Sequence, residues 1–265
     1  MNLLSKYGET AMVAGASEGI GAAFAIYLAK NGMNLVLIAR SLAPLEAFAK
    51  ELKEKYQVQV QTISCDLSTP QAAQNLMDEL AQIEIDVLIY NAALSYIGSF
   101  EENSIEHNQQ IAFTNMLTPL NLVQQFGKKM LDRKRGAIVL MSSIAGSQGA
   151  GYLSAYAASK AFNTILGESL WYEWKDKGID VIACVAGATS SPNFINSKPK
   201  NTGFIKPKVQ TPEEVVQECF SNLGKQPRII SGRTNRITSF LMHRILPRKL
   251  AIKIMGDTTR KMYDL

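Results

Sequence analysis

The stretch Thr10-Ala11-Met12-Val13-Ala14-Gly15-Ala16-Ser17-Glu18-Gly19-Ile20-Gly21 decides the fold. Its first five residues form the short apolar run expected of a strand covered on both faces. Three glycines follow in GxxxGxG spacing, and the helical stretch Ile20–Lys30 opens inside them. With glycine at roughly 7% of residues, about 0.1 such spacings arise by chance in a chain of this size, so position carries the argument. Glycines there permit a tight turn and let backbone N–H groups at the positive end of a helix approach a pyrophosphate. Gly15, Ser17, Glu18, Gly19, Ile20 and Gly21 are therefore candidate dinucleotide contacts, the plain alternative being an ordinary glycine-rich turn.

Outward from that loop the chain alternates apolar runs with helical stretches. Further strand candidates are Asn34–Ala39, Gln59–Ser64, Val87–Tyr90, Ala137–Met141, Asp180–Val185 and the weaker Arg228–Ile230. The intervening helices are Ala43–Tyr56, Gln71–Gln82, Thr114–Arg133 and Ala155–Lys177. This repetition predicts an α/β fold, a doubly wound parallel sheet of the Rossmann type with helices on both faces. No linker divides it, which makes residues 1–265 a single dinucleotide-binding and catalytic domain. Residues 190–210, with three prolines and Gly203, read as an irregular substrate loop. Residues 232–265 read as a basic helical extension.

Composition excludes several other classes. The chain has 265 residues, 46% hydrophobic and 19% charged, which rules out disorder and supplies a sizeable core. Cys65, Cys184 and Cys219 are scattered, and His107 and His243 stand alone, so neither a disulfide framework nor a metal site is expected. The start MNLLSKYGET lacks a signal-peptide core, and the longest apolar run, Val181–Ala188, falls short of a membrane span, so a cytoplasmic setting is expected. Residues 225–265 carry a net +8 against −3 for the rest of the chain, within an overall +5. No aromatic interleaving suggests nucleic acid there.

Ligands of such sheets bind beyond the carboxyl ends of the strands. An acid after the second strand would bind a ribose 2′-hydroxyl. Arg40-Ser41 stands there instead, and a guanidinium can take a 2′-phosphate. Asp66 and Leu67 follow the third strand; Asp66 suits an adenine amino group, or equally caps a helix or forms a turn. Past the fifth strand lies Ser143, and Tyr156 and Lys160 share one helix face a turn apart. Reducing a ketone by hydride leaves an alkoxide that needs a proton. A neighbouring ammonium should lower the tyrosine pKa, and Ser143 can steady the developing charge. Asn115 is a candidate holder of a water linking Lys160 to solvent, and Asn91 follows the fourth strand.

In these residues the chain resembles the short-chain dehydrogenase/reductase family, single-domain branch, over about residues 8–230. The likeness rests on Gly15, Gly19, Gly21, Asp66, Asn91-Ala92-Ala93, Asn115, Ser143, Tyr156, Lys160 and Ala186-Gly187 followed by Ser191. It implies reversible carbonyl–alcohol hydride transfer, catalysed through Asn115, Ser143, Tyr156 and Lys160. It also implies cofactor contacts at Asn91, Ala92, Ala93, Tyr156, Lys160, Gly187, Thr189 and Ser191, and a homodimer or homotetramer. With Arg40, the cofactor expected is NADP(H). Ala14, Ala93 and Ala186 depart from the family pattern, small for small. Tyr7-Gly8 and residues 32–40 give a weaker likeness to the 17β-hydroxysteroid dehydrogenase and long-chain 3-oxoacyl-CoA reductase group, implying an apolar ketone, ketosteroid or 3-oxoacyl substrate. Two rivals share the fold. An extended-branch epimerase would have a longer chain and a different glycine spacing; a non-catalytic dinucleotide sensor would typically lose the tyrosine or lysine.

By position, residues 94–103, 145–153 and 190–210 line the substrate pocket, with Phe194, Ile195, Phe204 and Ile205 favouring an apolar ligand. In the tail, Ile237, Phe240, Leu241 and Ile245 fall on one helical stripe before Pro247, and a second piece runs from Leu250 to Met255. The stripe is expected to pack on the domain or on a partner subunit. The alternative is that the tail covers the substrate cleft or touches an anionic membrane surface.

Overall fold

Seven strands, all parallel, form one sheet in the order β3-β2-β1-β4-β5-β6-β7 in a computed structural model that describes residues 2–199 and 209–265. They are β1 (Thr10–Ala14), β2 (Asn34–Ala39), β3 (Val60–Ser64), β4 (Val87–Tyr90), β5 (Gly136–Ser143), β6 (Ile179–Ala186) and β7 (Arg228–Ile230). The helices are α1 (Leu3–Tyr7), α2 (Gly19–Lys30), α3 (Leu42–Tyr56), α4 (Ala72–Glu79), α5 (Ile105–Ala112), α6 (Thr118–Arg133), α7 (Ser154–Trp174), α8 (Pro192–Asn196), α9 (Pro212–Asn222), α10 (Arg233–Phe240) and α11 (Arg248–Tyr263). Alternate residues of each strand feed two cores. Ala11, Val13 and Leu35 meet α2, α3 and α9 on one face, while Met12, Val36 and Leu88 meet α4, α6 and α7 on the other. Burial on both faces is why the strands are apolar throughout.

The strand order reverses between β1 and β4, which opens a crevice at their carboxyl ends. The opposite end is sealed. Asp86 accepts from the backbone of Glu9 (2.8 Å) and Thr10 (3.0 Å) and faces Arg133. Asp180 accepts from Lys6 (2.5 Å) and Tyr7 (2.7 Å), tying α1 beneath the sheet.

Three features differ from the sequence reading. The stretch expected as one helix, Thr114–Arg133, begins with a π turn over Phe113–Leu117 before α6, and α5 precedes it. Helix α9 is absent from the sequence reading, although Thr211 and Glu214, which form a full capping box, mark its start. The segment 190–210 is not wholly irregular: α8 lies in it, and its base is closed by Ser190 N to Gln210 O (2.9 Å) and Gln210 N to Ala188 O (3.0 Å). Gly203, Phe204, Ile205 and Pro207 fall outside the described residues.

The tail corrects the first of the two placements expected for its stripe, on the domain. Its apolar stripe does not pack on this chain: Ile237, Phe240, Leu241 and Ile245 are 53%, 59%, 48% and 62% exposed. The inward face of α10 is polar instead. Asn235 donates to Ser231 O (2.7 Å) and stands against Gly187, where a Cβ would lie 2.5 Å from its amide. Seating that face turns the stripe to the outside. The second piece is longer than Leu250–Met255, extending through α11 to Tyr263. Among the described residues no helix is long and apolar enough to cross a membrane.

Candidate active site

A cavity of about 710 Å³ opens at the carboxyl ends of the strands, in the size range of cofactor and substrate sites. A second depression, about 680 Å³ along β7 and α9, holds none of the residues nominated from sequence.

The glycine loop forms the first wall. Gly15 (φ 78°) and Gly19 (φ 57°) take left-handed conformations that glycine adopts at little cost. A Cβ on Gly15 would lie 2.7 Å from the backbone nitrogen of Ala92, and one on Gly21 would collide with the Gly15 carbonyl. Asn91 Nδ2 donates to Gly15 O (2.9 Å), clamping the loop to the end of β4. No side chain caps the start of α2, which leaves its first amides turned to the cleft. Ser17, Glu18 and Ile20 also line the cavity, whereas Gly21 lies beneath the loop. This cradle, closed to any Cβ and ending on an uncapped helix, fits the pyrophosphate of a dinucleotide.

Arg40 lines the cavity at the end of β2, its carbonyl accepting from Ser64 Oγ (2.9 Å). Ser41 takes the N-cap position of α3 and does not line the cavity. Asp66 Oδ1 accepts from Ser68 N (3.0 Å) and Ser68 Oγ (2.7 Å), so the turn role is realised while the residue still lines the cleft. Those donors hold its carboxyl below the usual carboxylate range. Leu67, Asn91, Ala92, Ala93, Gly187, Thr189 and Ser191 complete this end.

Ser143, Tyr156 and Lys160 come together on the cavity floor. Ser142 Oγ donates to Lys160 O (2.7 Å) and Thr164 Oγ1 donates to Ser142 Oγ (2.7 Å), strapping α7 to β5. Gly146 lets the turn after β5 approach α7, since a Cβ there would lie 2.6 Å from Ala161 N. Lys160 is 3% exposed, donates to Met141 O (3.1 Å) and lies 5.6 Å from the Tyr156 ring centre. Burial lowers its pKa to about 8. The expectation that the ammonium lowers the Tyr156 pKa is corrected. Burial raises it, with the hydrogen bond to Ser143 opposing and Tyr263 adding to the rise, because a tyrosinate would lose hydration.

Asn115 sits in the π turn, fully buried, and does not line the cavity. Its side chain donates to Leu94 O and Ser159 Oγ (2.8 Å each) and accepts from Leu94 N (2.8 Å). Its amide is thus a tie between the loop after β4 and α7, with both N–H donors spent, rather than a free water holder.

The far wall comes from the tail. Thr234, Thr238, Met242 and His243 after β7, and Met255, Thr258, Met262 and Tyr263 of α11, line the cavity. Tyr263 Oη lies 3.3 Å from Ser197 Oγ, joining the last turn of α11 to the segment after α8. Sequence reading nominated none of these individually, because small polar and methionine side chains give no motif. Of the position-based pocket residues, Leu94, Ser95, Ile97, Ala145, Gln148, Leu153, Phe194 and Ser197 do line it, while Ile195 is 61% exposed.

A doubly wound sheet with its crevice at this switch point is the architecture of Rossmann-type dinucleotide-binding proteins. More narrowly, the chain belongs to the short chain dehydrogenase family, whose model matches residues 9–202. Members of that family are oxidoreductases acting on hydroxyl and carbonyl groups with NAD(P), and this chain is one of them. It is 31% identical over 238 residues to a 7beta-hydroxysteroid dehydrogenase of Mediterraneibacter gnavus, covering 89% of this chain and 90% of that one. It is 30% identical over 268 residues to the very-long-chain 3-oxoacyl-CoA reductase-B of Danio rerio, covering 98% and 84%. Among solved structures, one of a 7beta-hydroxysteroid dehydrogenase superposes with a TM-score of 0.90 at 29% identity, covering 96% and 99%. A Sphingobium yanoikuyae short-chain dehydrogenase in complex with NADPH gives 0.76 at 26%, covering 90% and 96%.

Proposed function

We propose that the protein interconverts a ketone and an alcohol on an apolar substrate, a ketosteroid or 3-oxoacyl compound, with NADP(H) as cofactor. The observation that carries this is the meeting of Ser143, Tyr156 and Lys160 on the floor of a cleft whose opposite end is the glycine cradle. The backbone of Gly15–Gly21 would hold the pyrophosphate, Arg40 the 2′-phosphate, and Asn91, Thr189 and Ser191 the nicotinamide half. When bound, the cofactor supplies or accepts the hydride.

The remaining work falls to the chain. Ser143 Oγ–H donates to the substrate oxygen and fixes its direction. Tyr156 keeps its proton at neutral pH, because burial raises its pKa, and delivers it to that oxygen in the reducing direction. The Lys160 ammonium beside the ring offsets the negative charge that then develops on Tyr156 Oη. Apolar side chains such as Ile144, Leu153 and Met255 exclude water from the reacting atoms.

Kinetics of variants test the reading. Tyr156→Phe should lower kcat by ~100-fold or more with cofactor binding retained. A loss below ~10-fold, about 1.4 kcal/mol, contradicts it. Arg40→Asp should weaken NADPH far more than NADH in direct titrations, and tighter wild-type binding of NADH would refute the Arg40 role. The reading includes a homodimer or homotetramer, for which sedimentation is the measurement, and a cytoplasmic location, for which cell fractionation is. It also includes a salt-sensitive contact of the tail with anionic membranes, supported by exposed Phe240 and Ile245 beside Arg244 and Arg248. Failure to co-sediment with anionic liposomes at low salt removes that contact.

A further inference from the structure

Gln148 follows the short turn Ile144–Ser147 after β5, with its backbone extended. It is 7% exposed, it lines the cleft, and both its amide atoms, Nε2 and Oε1, are buried without a hydrogen-bond partner. A buried amide in that state bears its full desolvation penalty. Nor is it free to swing out. The segment after it lies on α11, where a Cβ at Gly149 would stand 3.5 Å from Ile252 and one at Gly151 would stand 3.5 Å from Gly256. Ile144, Leu153, Ile254 and Met255 line the same cleft, so an apolar side chain would suit the position better if packing were all it served.

We propose that Gln148 is a substrate-binding residue, and that the substrate carries a hydroxyl group, besides its reacting carbonyl, which pairs with the Gln148 amide. The proposal rests on the ketone–alcohol reading above and narrows its substrate class to hydroxylated apolar ketones. The choice of hydroxyl follows from the two orphaned atoms. A second ketone can only accept from Nε2 and leaves Oε1 unpaired. A hydroxyl can accept from Nε2 and donate to Oε1 at once, closing a cyclic pair with the amide. Sites built to hydrogen-bond a hydroxyl reject the analogue lacking it far more strongly than apolar pockets reject a missing methylene.

The test compares the full-length wild type with Gln148→Met, an unbranched variant of similar shape, on pairs of steroidal and linear ketones that differ only in one hydroxyl. Three readings are taken: kcat/KM with NADPH, the ligand-induced rise in Tm, and Tm without ligand. The wild type should prefer the hydroxylated member of at least one pair by ~10-fold or more, chiefly through KM. Gln148→Met should bring that preference to within about twofold, with the larger loss on the hydroxylated member of the pair, and should not lower the unliganded Tm. A wild type that treats both members of every pair alike overturns the proposal, as does a variant that keeps the preference, which would assign the amide to a water. A fall in unliganded Tm of more than about 3 °C also overturns it, since the amide would then have a structural partner. If no ketone is turned over but hydroxylated ligands raise the wild-type Tm selectively, Gln148 keeps its role and the hydride-transfer reading fails. Turnover without preference sinks this proposal alone.

Discussion

The two ends of the cleft are built by opposite means. At the glycine-loop end the wall is backbone. Gly15 and Gly19 stand in left-handed conformations, the Gly15 carbonyl is held by Asn91, and no atom could be added at Gly15 or Gly21 without collision. At the tail end the wall is made of side chains on two helices, whose outer faces expose Phe240, Ile245 and Leu250. On the proposed function the first wall would hold a cofactor that never changes, and a wall made of backbone suits that task. The second is threonine and methionine on helices packed through few residues, a surface that can be rewritten without disturbing the sheet.

The contrast is open to a direct experiment, because each wall contains a helical glycine. Gly21→Ala forces a Cβ against the Gly15 carbonyl, a backbone atom that can yield only by moving the loop. It should cost about 3 kcal/mol, lower Tm by roughly 8 °C and abolish detectable NADPH binding. Tight NADPH binding by a normally melting Gly21→Ala protein would show that the first wall is as adaptable as the second.

Between the walls, Lys160 gives an effect of intermediate size. Its folded pKa, about 8, lies below its ordinary 10.5, so between those values the unfolded chain binds more protons. Stability contributed by this residue therefore rises with pH across that window. Lys160→Met should melt higher than the wild type at neutral pH, and the difference should shrink as pH rises from about 8 to about 10. Parallel melting curves for the two proteins over that range would contradict a Lys160 ammonium stripped of hydration by burial.

The smallest effect belongs to the tail. A Cβ on Gly256, inside α11, would meet nothing closer than 3.9 Å. Gly256→Ala should stabilise the protein by about 0.8 kcal/mol through helix propensity, raising Tm by roughly 2 °C with cofactor binding unchanged. Destabilisation here would mean that the α11 wall is packed as tightly as the glycine loop.

Sheet and loop were legible because their constraints are local. A strand buried on two faces must be apolar along its length, and a turn with no room for a Cβ must be glycine. Ser143, Tyr156 and Lys160 were legible for a related reason, since their order along the chain and the helical repeat bring them to one spot. Asn115 could be placed near that spot, but not its role, because sequence does not show which way an amide points; its donors are spent on Leu94 and Ser159. The Tyr156 pKa was misjudged for the same kind of reason, since the charge of Lys160 is visible in sequence and the loss of hydration around both groups is not.

The sequence by itself therefore determined the parallel sheet, the glycine cradle and the serine, tyrosine and lysine of the cleft, because each follows from spacing along one or two elements. Only the tertiary structure decided what faces them. The tail shows an apolar stripe at helical spacing, and a stripe by itself predicts packing on the domain or on a partner subunit. In the folded chain the polar face of α10 is drawn in by Asn235 against Gly187 and Ser231, and the stripe is left outside. Which face a helix buries depends on the surface that receives it, and here that surface joins Ser231, just before α10, to Gly187 at the end of β6, roughly fifty positions away in the chain.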